Sequence, residues 1–139
     1  MASAKTLLSP QSACPCGHPR PYAACCGRYH QAFAESGALT APTAEALMRS
    51  RYSAFVVDAR AYLLASWHPR TRPEALEPPE PGLRWLGLEV HEHAPLDDTH
   101  ATVRFVARSK LGGRAHRLSE TSRFERVDGQ WLYVDGDLG

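Results

Sequence analysis

Cys14, Cys16, Cys25 and Cys26 are the residues most able to do chemistry in this chain, and their spacing says which chemistry. They read C-x-C, eight residues, then C-C, and no other cysteine occurs in the sequence. Disulfide frameworks spread their cysteines so that each bridge closes a useful loop, whereas a cluster this tight would staple almost nothing. Two thiolates from a tight turn and two from a helix start can instead meet tetrahedrally around a zinc ion, about 2.3 Å from each sulfur. Pro15 and Gly17 shape the first turn. A helix N-terminus beneath the second pair favours thiolate charge. All four coordination positions are filled, so the expected zinc site is closed, structural and non-catalytic. The competing reading is four free or redox-active thiols, but neither pair has the C-x-x-C spacing of a thioredoxin-like site. His18 and His30 are spare ligands by type, and each reads first as a surface histidine.

A second group of chemically capable residues lies near the other end. Leu118 and Phe124 are an even number apart in a strand-like stretch, so they share a face, and His116, Glu120 and Ser122 share it with them. A carboxylate between two apolar residues on a core-facing strand is costly unless paired. Two readings follow. Glu120 could form a structural ion pair with Arg51, or a general acid/base pair with His116 or His68. The ion pair is the plainer of the two. His91 and His93 alternate beside Glu89, with His100 across a turn; they oppose Leu86, Leu88 and Val90 and read as a solvated face rather than a metal site. Arg104, Arg108, Lys110, Arg114 and Arg117 gather around Gly112-Gly113, which reads as an exposed basic hairpin tip.

The elements that must position these residues come in two blocks. Met1 to Ala13 is a loose lead-in, and residues 28–38 are mostly helix formers. Thr43 and Glu45 open a helix as cap and first-turn carboxylate, and Leu47, Met48, Tyr52, Phe55, Val56 and Ala59 recur along one apolar face. Arg49 and Arg51 point to different sides of it, one of them toward solvent. A short second helix over 59–66 turns Tyr62, Leu63 and Trp67 inward, and His68-Pro69 ends it. Five of the eleven prolines (Pro69, Pro73, Pro78, Pro79, Pro81) then mark a stiff loop or lid. After Gly82 the period becomes 2, giving strands over 85–93, 101–108, 115–127 and 130–134, with Asp128-Gly129 a hairpin turn. Trp67, Trp85 and Trp131 read as core. Helices followed by an antiparallel meander make an α+β domain.

The 139 residues make one domain with a small appendage, and 16 basic against 15 acidic residues leave a net charge of +1. That balance gives no support for nucleic-acid binding. No apolar run approaches the roughly 20 residues of a spanning helix, and the N-terminus has no signal-peptide core, so a cytoplasmic location and no membrane partner are expected.

The cysteine segment resembles the SEC-C motif, a short zinc-binding module also found in the SecA translocation ATPase. The longer chain resembles the bacterial YchJ family through Cys25-Cys26-Gly27-Arg28-Tyr29-His30, the run Pro42 to Ala54, Trp67-His68-Pro69, Arg84-Trp85-Leu86-Gly87-Leu88, Glu120-Thr121-Ser122-Arg123-Phe124 and Gly129 to Gly136. The resemblance implies a SEC-C module over 1–30 and a nuclear transport factor 2-like (NTF2-like) cone over 31–139, with helices packed on a curved antiparallel sheet of four or more strands. It leaves two functions to compare. One is a zinc-dependent binding protein, whose module docks a protein or ribosomal partner and whose cone is a scaffold or holds a small molecule. The alternative is a small enzyme using an acid/base pair in the cone cavity. Monomer and homodimer are both compatible with the sequence.

Overall fold

Thr43 starts the helix that organises the molecule. Its backbone is extended and its Oγ1 accepts the Ala46 amide at 3.0 Å, which satisfies one of the amides a helix start leaves open. Glu45 sits in the first turn and pairs with Arg49 one turn later at 2.9 Å. In the computed structural model, which describes residues 9–139, three helices form: α1 (Cys26–Ser36), α2 (Ala44–Val57) and α3 (Arg60–Ala65). The first eight residues of the expected lead-in lie outside the described residues. Gly37 ends α1 and Asp58 ends α2, each in the left-handed conformation that frees the last turn's carbonyls for caps.

Four strands follow: β1 (Arg84–Pro95), β2 (His100–Leu111), β3 (Arg114–Val127) and β4 (Gln130–Leu138), paired in sequence order as an antiparallel meander. The β3–β4 turn is Asp128-Gly129, both with positive φ, as a two-residue hairpin requires. The sheet is bent by irregularities between Trp85 and Gly87, between Val90 and Glu92, and between Arg123 and Phe124. These correct the face assignment expected for β1. Leu86 is the extra residue at the first bulge and is exposed rather than inward. His91 is the extra residue at the second. It lies 3.4 Å from Glu89, while His93 pairs opposite buried Val103 and approaches Glu45 of α2 at 3.9 Å. The two histidines therefore do not share a face.

α2 packs on one face of the sheet, and α1 and α3 pack on α2. Leu47, Met48 and Tyr52 of α2 join Val103, Phe105 and Phe124 of the sheet in one core. The four cysteines belong to that same core rather than to a separate one, and α1 runs through the boundary expected at residues 30 and 31. A second cluster joins Ala54 to Tyr62 and Leu63 of α3. Because α1, α3 and the sheet all press on α2, its buried set includes Ser50, Arg51 and Ser53 as well as the predicted apolar stripe, and Phe55 is left partly exposed.

Candidate metal centre and aromatic cavity

The cysteine cluster is assembled from a turn and a helix start. Cys14 donates its amide to Arg20 O at 2.9 Å, and Gly17 N returns to Cys14 O at 3.3 Å, closing the turn that carries Cys14 and Cys16. Gly17 has φ +96 there and stands close to the backbone of Leu88, a position no other residue fits without strain. A 3₁₀ turn at Tyr22–Ala24 then delivers Cys25 to the cap of α1 and Cys26 to its first position. The four Sγ atoms lie within 4.8 Å of one another, and all four residues are buried. Sulfurs bound at about 2.3 Å in a tetrahedron stand about 3.8 Å apart, and the Cys16–Cys25 pair is already at 3.6 Å. The set could hold a metal ion. Cys14 is pulled far down by hydrogen bonds from Cys16 and Cys26, Cys25 is pushed up to about 11 by burial, and Cys26 is driven far up by its bonds to Cys14 and Cys16. The cluster thus favours one thiolate, on Cys14, held by its neighbours' S–H groups, while burial and mutual repulsion keep Cys25 and Cys26 protonated.

The cysteine cluster is tied to α2 at three points. Arg49 reaches from Glu45 to donate Nη1 to Cys16 O at 2.7 Å. Ser53 Oγ lies 3.7 Å from Cys14 Sγ. His30 donates from Nε2 to Ser50 O at 2.8 Å and accepts from Tyr22 OH at Nδ1. Those bonds fix its tautomer, and burial lowers its pKa from the ordinary value. His30 is thus an internal strut between α1 and α2, a correction to its reading as a surface histidine. Arg49 and Arg51 are corrected likewise. Neither faces solvent freely, because the cysteine turn covers one and α3 the other.

The opposite side of α2 walls a cavity of about 200 Å³ between helices and sheet. Of its thirteen lining residues seven are aromatic, and Arg51, Glu120 and Ser122 supply the polar groups. Arg51 is buried. Its Nη1 donates to Leu63 O at 2.8 Å and Ser66 Oγ at 2.6 Å, while its guanidinium stacks over Trp67 and Tyr133. Burial pushes Arg51 down to about 10, opposed by the nearby tyrosines and Glu120, so it stays charged at neutral pH. Glu120 Oε2 accepts from Ser122 Oγ at 2.5 Å and from Tyr133 OH at 3.5 Å. The same carboxylate lies over Gly136, where any side chain would collide with it.

Of the pocket residues expected from sequence, the structure brings Arg51, Glu120 and Ser122 together and leaves His116 and His68 out. His116 lies toward the open end of β3, exposed. His68 turns away and contacts Glu125 at 3.3 Å, with Nδ1 accepting the Arg70 amide. No ion pair joins Arg51 to Glu120 among the described residues; they face one cavity without touching. Trp67 and Trp85, expected in the core, line the cavity, and Trp131 packs at the core's edge. Sequence reasoning missed Tyr133, which links the two charged groups. Period 2 in β4 was its only signal, and nothing local distinguished it from a core tyrosine. At the basic tip, Arg104 and Arg108 lie 4.0 and 3.6 Å from Glu92 and Glu89, so part of that charge is answered along β1.

Residues 43–136 match the family described as YchJ, middle NTF2-like domain. The chain belongs to the YchJ family. It is 61% identical over 125 residues to a UPF0225 protein of Methylibium petroleiphilum, covering 90% of this chain and 88% of that one. Two solved structures share the fold at 29% identity. A SEC-C motif containing protein from Psychrobacter arcticus superposes with a TM-score of 0.75 over 94% of this chain and 84% of its own. Another, from Rhodopseudomonas palustris, gives 0.76 over 91% and 98%. The α+β, NTF2-like architecture and the relation to SEC-C proteins are therefore established for this YchJ-family chain, and four clustered cysteines accompany the cone. No helix among the described residues is long and apolar enough to cross a membrane.

Proposed function

We propose that this protein is a small-molecule binder whose cone is stapled by a zinc ion on Cys14, Cys16, Cys25 and Cys26. The observation that carries the binding reading is the aromatic cavity around an arginine that has no acid partner within ion-pair distance among the described residues. Keeping a buried cation without a carboxylate costs stability that an apolar residue would avoid, so its retention points to a ligand. Four buried thiolates favour zinc by softness and by tetrahedral fit. Zinc there is structural, since protein sulfurs take every position and α2 transmits the staple to the cavity wall. Binding is favoured over acid–base catalysis because no histidine reaches Glu120, while Arg51 near 10 and Tyr133, pushed up to about 12 by burial, both keep their protons at neutral pH. The test is metal analysis of purified protein together with a fragment titration read by tryptophan fluorescence. The reading expects one zinc per chain and saturable quenching that disappears in Tyr133→Ala. Absence of zinc from the cysteine cluster, or fragment binding indifferent to Tyr133→Ala, counts against it.

The docking role expected of the zinc module is a second reading, supported by the exposed outer side of its turn at Gly17, Pro19 and Arg20. Equal recovery of partners by the intact protein and a Cys25→Ser/Cys26→Ser variant would remove it.

A further inference from the structure

The cavity has two polar ends of opposite character. At one, Arg51 commits Nη1 to Leu63 O and Ser66 Oγ, while its Nε and Nη2 have no hydrogen-bond partner among the described residues. Trp67 beside it has a buried Nε1 with no partner among the described residues, but it is sealed from solvent, so the donors presented to the cavity are those of Arg51. That end offers donors and lacks acceptors. At the other, Glu120 uses Oε2 for Ser122 and Tyr133 and leaves Oε1 without a partner among the described residues. That end offers an acceptor. Tyr133 spans the gap, its ring under the Arg51 guanidinium and its hydroxyl on the Glu120 carboxylate. The charges, one positive and one negative, cancel across the site. Between them the walls are rings and aliphatic side chains, including Tyr52, Phe105 and Phe124.

We infer that the cavity takes a small, uncharged, planar aromatic molecule with an amide-like edge, its carbonyl oxygen toward Arg51 and its N–H toward Glu120. This rests on the reading of the cavity as a binding site and goes beyond it by fixing the ligand's charge and edge. A carboxylate ligand satisfies Arg51 but meets the Glu120 charge across one ring's width. An ammonium ligand satisfies Glu120 but meets Arg51, whose charge already occupies the faces of Trp67 and Tyr133. A neutral donor–acceptor edge satisfies both without leaving a buried charge opposed. The volume, about 200 Å³, is below that of sites for drug-sized ligands and suits one or two fused rings.

Three probes of one size separate these cases: benzamide, benzoate and benzylammonium. Each is titrated into metal-loaded full-length protein at pH 7 and followed by NMR at the Trp67 indole N–H, assigned with Trp67→Phe. Benzamide is expected to bind at least about tenfold more tightly than either charged probe, since each of those leaves one end opposed. In Glu120→Gln, which keeps the shape and the acceptor for Ser122, the benzamide preference over benzoate should shrink by about tenfold because the repelling charge is gone. If a charged probe binds wild type as tightly as benzamide, or if Glu120→Gln leaves the benzamide-to-benzoate ratio unchanged, the edge assignment is overturned while the cavity remains a binding site. If all three probes at millimolar concentration leave the Trp67 signal unmoved, the cavity reading falls and takes the assignment with it.

Discussion

Gly27 is where a single methyl group should move the cysteine cluster. It follows Cys26 in the first turn of α1, and a Cβ there would lie 2.6 Å from Tyr22 O and 3.1 Å from both the Tyr22 carbonyl carbon and Cδ2. Ordinary contact begins near 3.4 Å, so the closest approach is about 0.8 Å short. The obstructing atom is backbone and cannot rotate away. Tyr22 O accepts from Cys25 N at 3.0 Å, and Tyr22 N donates to Ser12 O at 2.7 Å. Helix propensity alone favours Gly27→Ala by up to about 1 kcal/mol, less in a first turn. Forcing a methyl into a packed contact costs about 1 to 3 kcal/mol. The steric term wins, so Gly27→Ala should destabilise the protein by about 1–2 kcal/mol. Relief requires α1 to slide from the 3₁₀ turn by several tenths of an ångström, carrying Cys26 away from Cys14 and Cys16. Metal sites tolerate only about 0.2 Å in each bond, so metal affinity should fall by about tenfold or more. Denaturant unfolding of the metal-loaded protein and competition with a chromophoric chelator measure the two effects. A Gly27→Ala protein that is as stable as wild type and holds its metal equally well would refute the argument, because the close approach would then not be what positions Cys26.

Two further outcomes follow from particular bonds. Thr43→Ala should lower stability by about 1 kcal/mol through loss of the Ala46 cap, and Thr43→Ser should restore most of it; equal midpoints for Ala and Ser variants would mean the cap is not limiting. His30 has a pKa lowered by burial from 6.5, so above that value folded and unfolded chains are both neutral and its stabilising bonds are intact. As pH falls below 6.5 the unfolded chain takes up a proton that the folded one refuses, and stability drops until the folded pKa is reached, by at most about 1.4 kcal/mol per pH unit. His30→Phe should cost about 1–3 kcal/mol at pH 7.5 by leaving Tyr22 OH without its acceptor and removing the side-chain donor to Ser50 O, and the gap to wild type should narrow at pH 5.5. Urea melts at both pH values decide it, and a gap that widens in acid contradicts the burial argument.

The local signals in this chain were sufficient wherever a short stretch carries its own physics. Thr43 caps because a β-hydroxyl one residue before a helix can reach the amide three on. Asp128-Gly129 turns because both positions take positive φ. The cysteine spacing placed four sulfurs together because a C-x-C turn and a C-C helix start are each stiff. What period 2 could not show was where the ladder slips. Two extra residues in β1 expel Leu86 and part His91 from His93, and a bulge is a property of the paired strand rather than of its own sequence.

By itself, then, the sequence determined the cysteine cluster, the α+β order and the presence of Glu120 and Ser122 on one inward face of a strand; which of Arg49 and Arg51 turns inward was left to the structure. Only the tertiary structure decided that Arg51 and Glu120 stand apart across a ring-lined space instead of neutralising each other, with Tyr133 between them. It also decided that the histidines turn elsewhere and that the cysteines share a core with the cone. The reason is distance. Residue type and spacing set what a side chain can do within a turn or two, but whether a cation on a helix meets a carboxylate on the third strand depends on how far the sheet curls, and that is set by bulges and packing contributed from every other element.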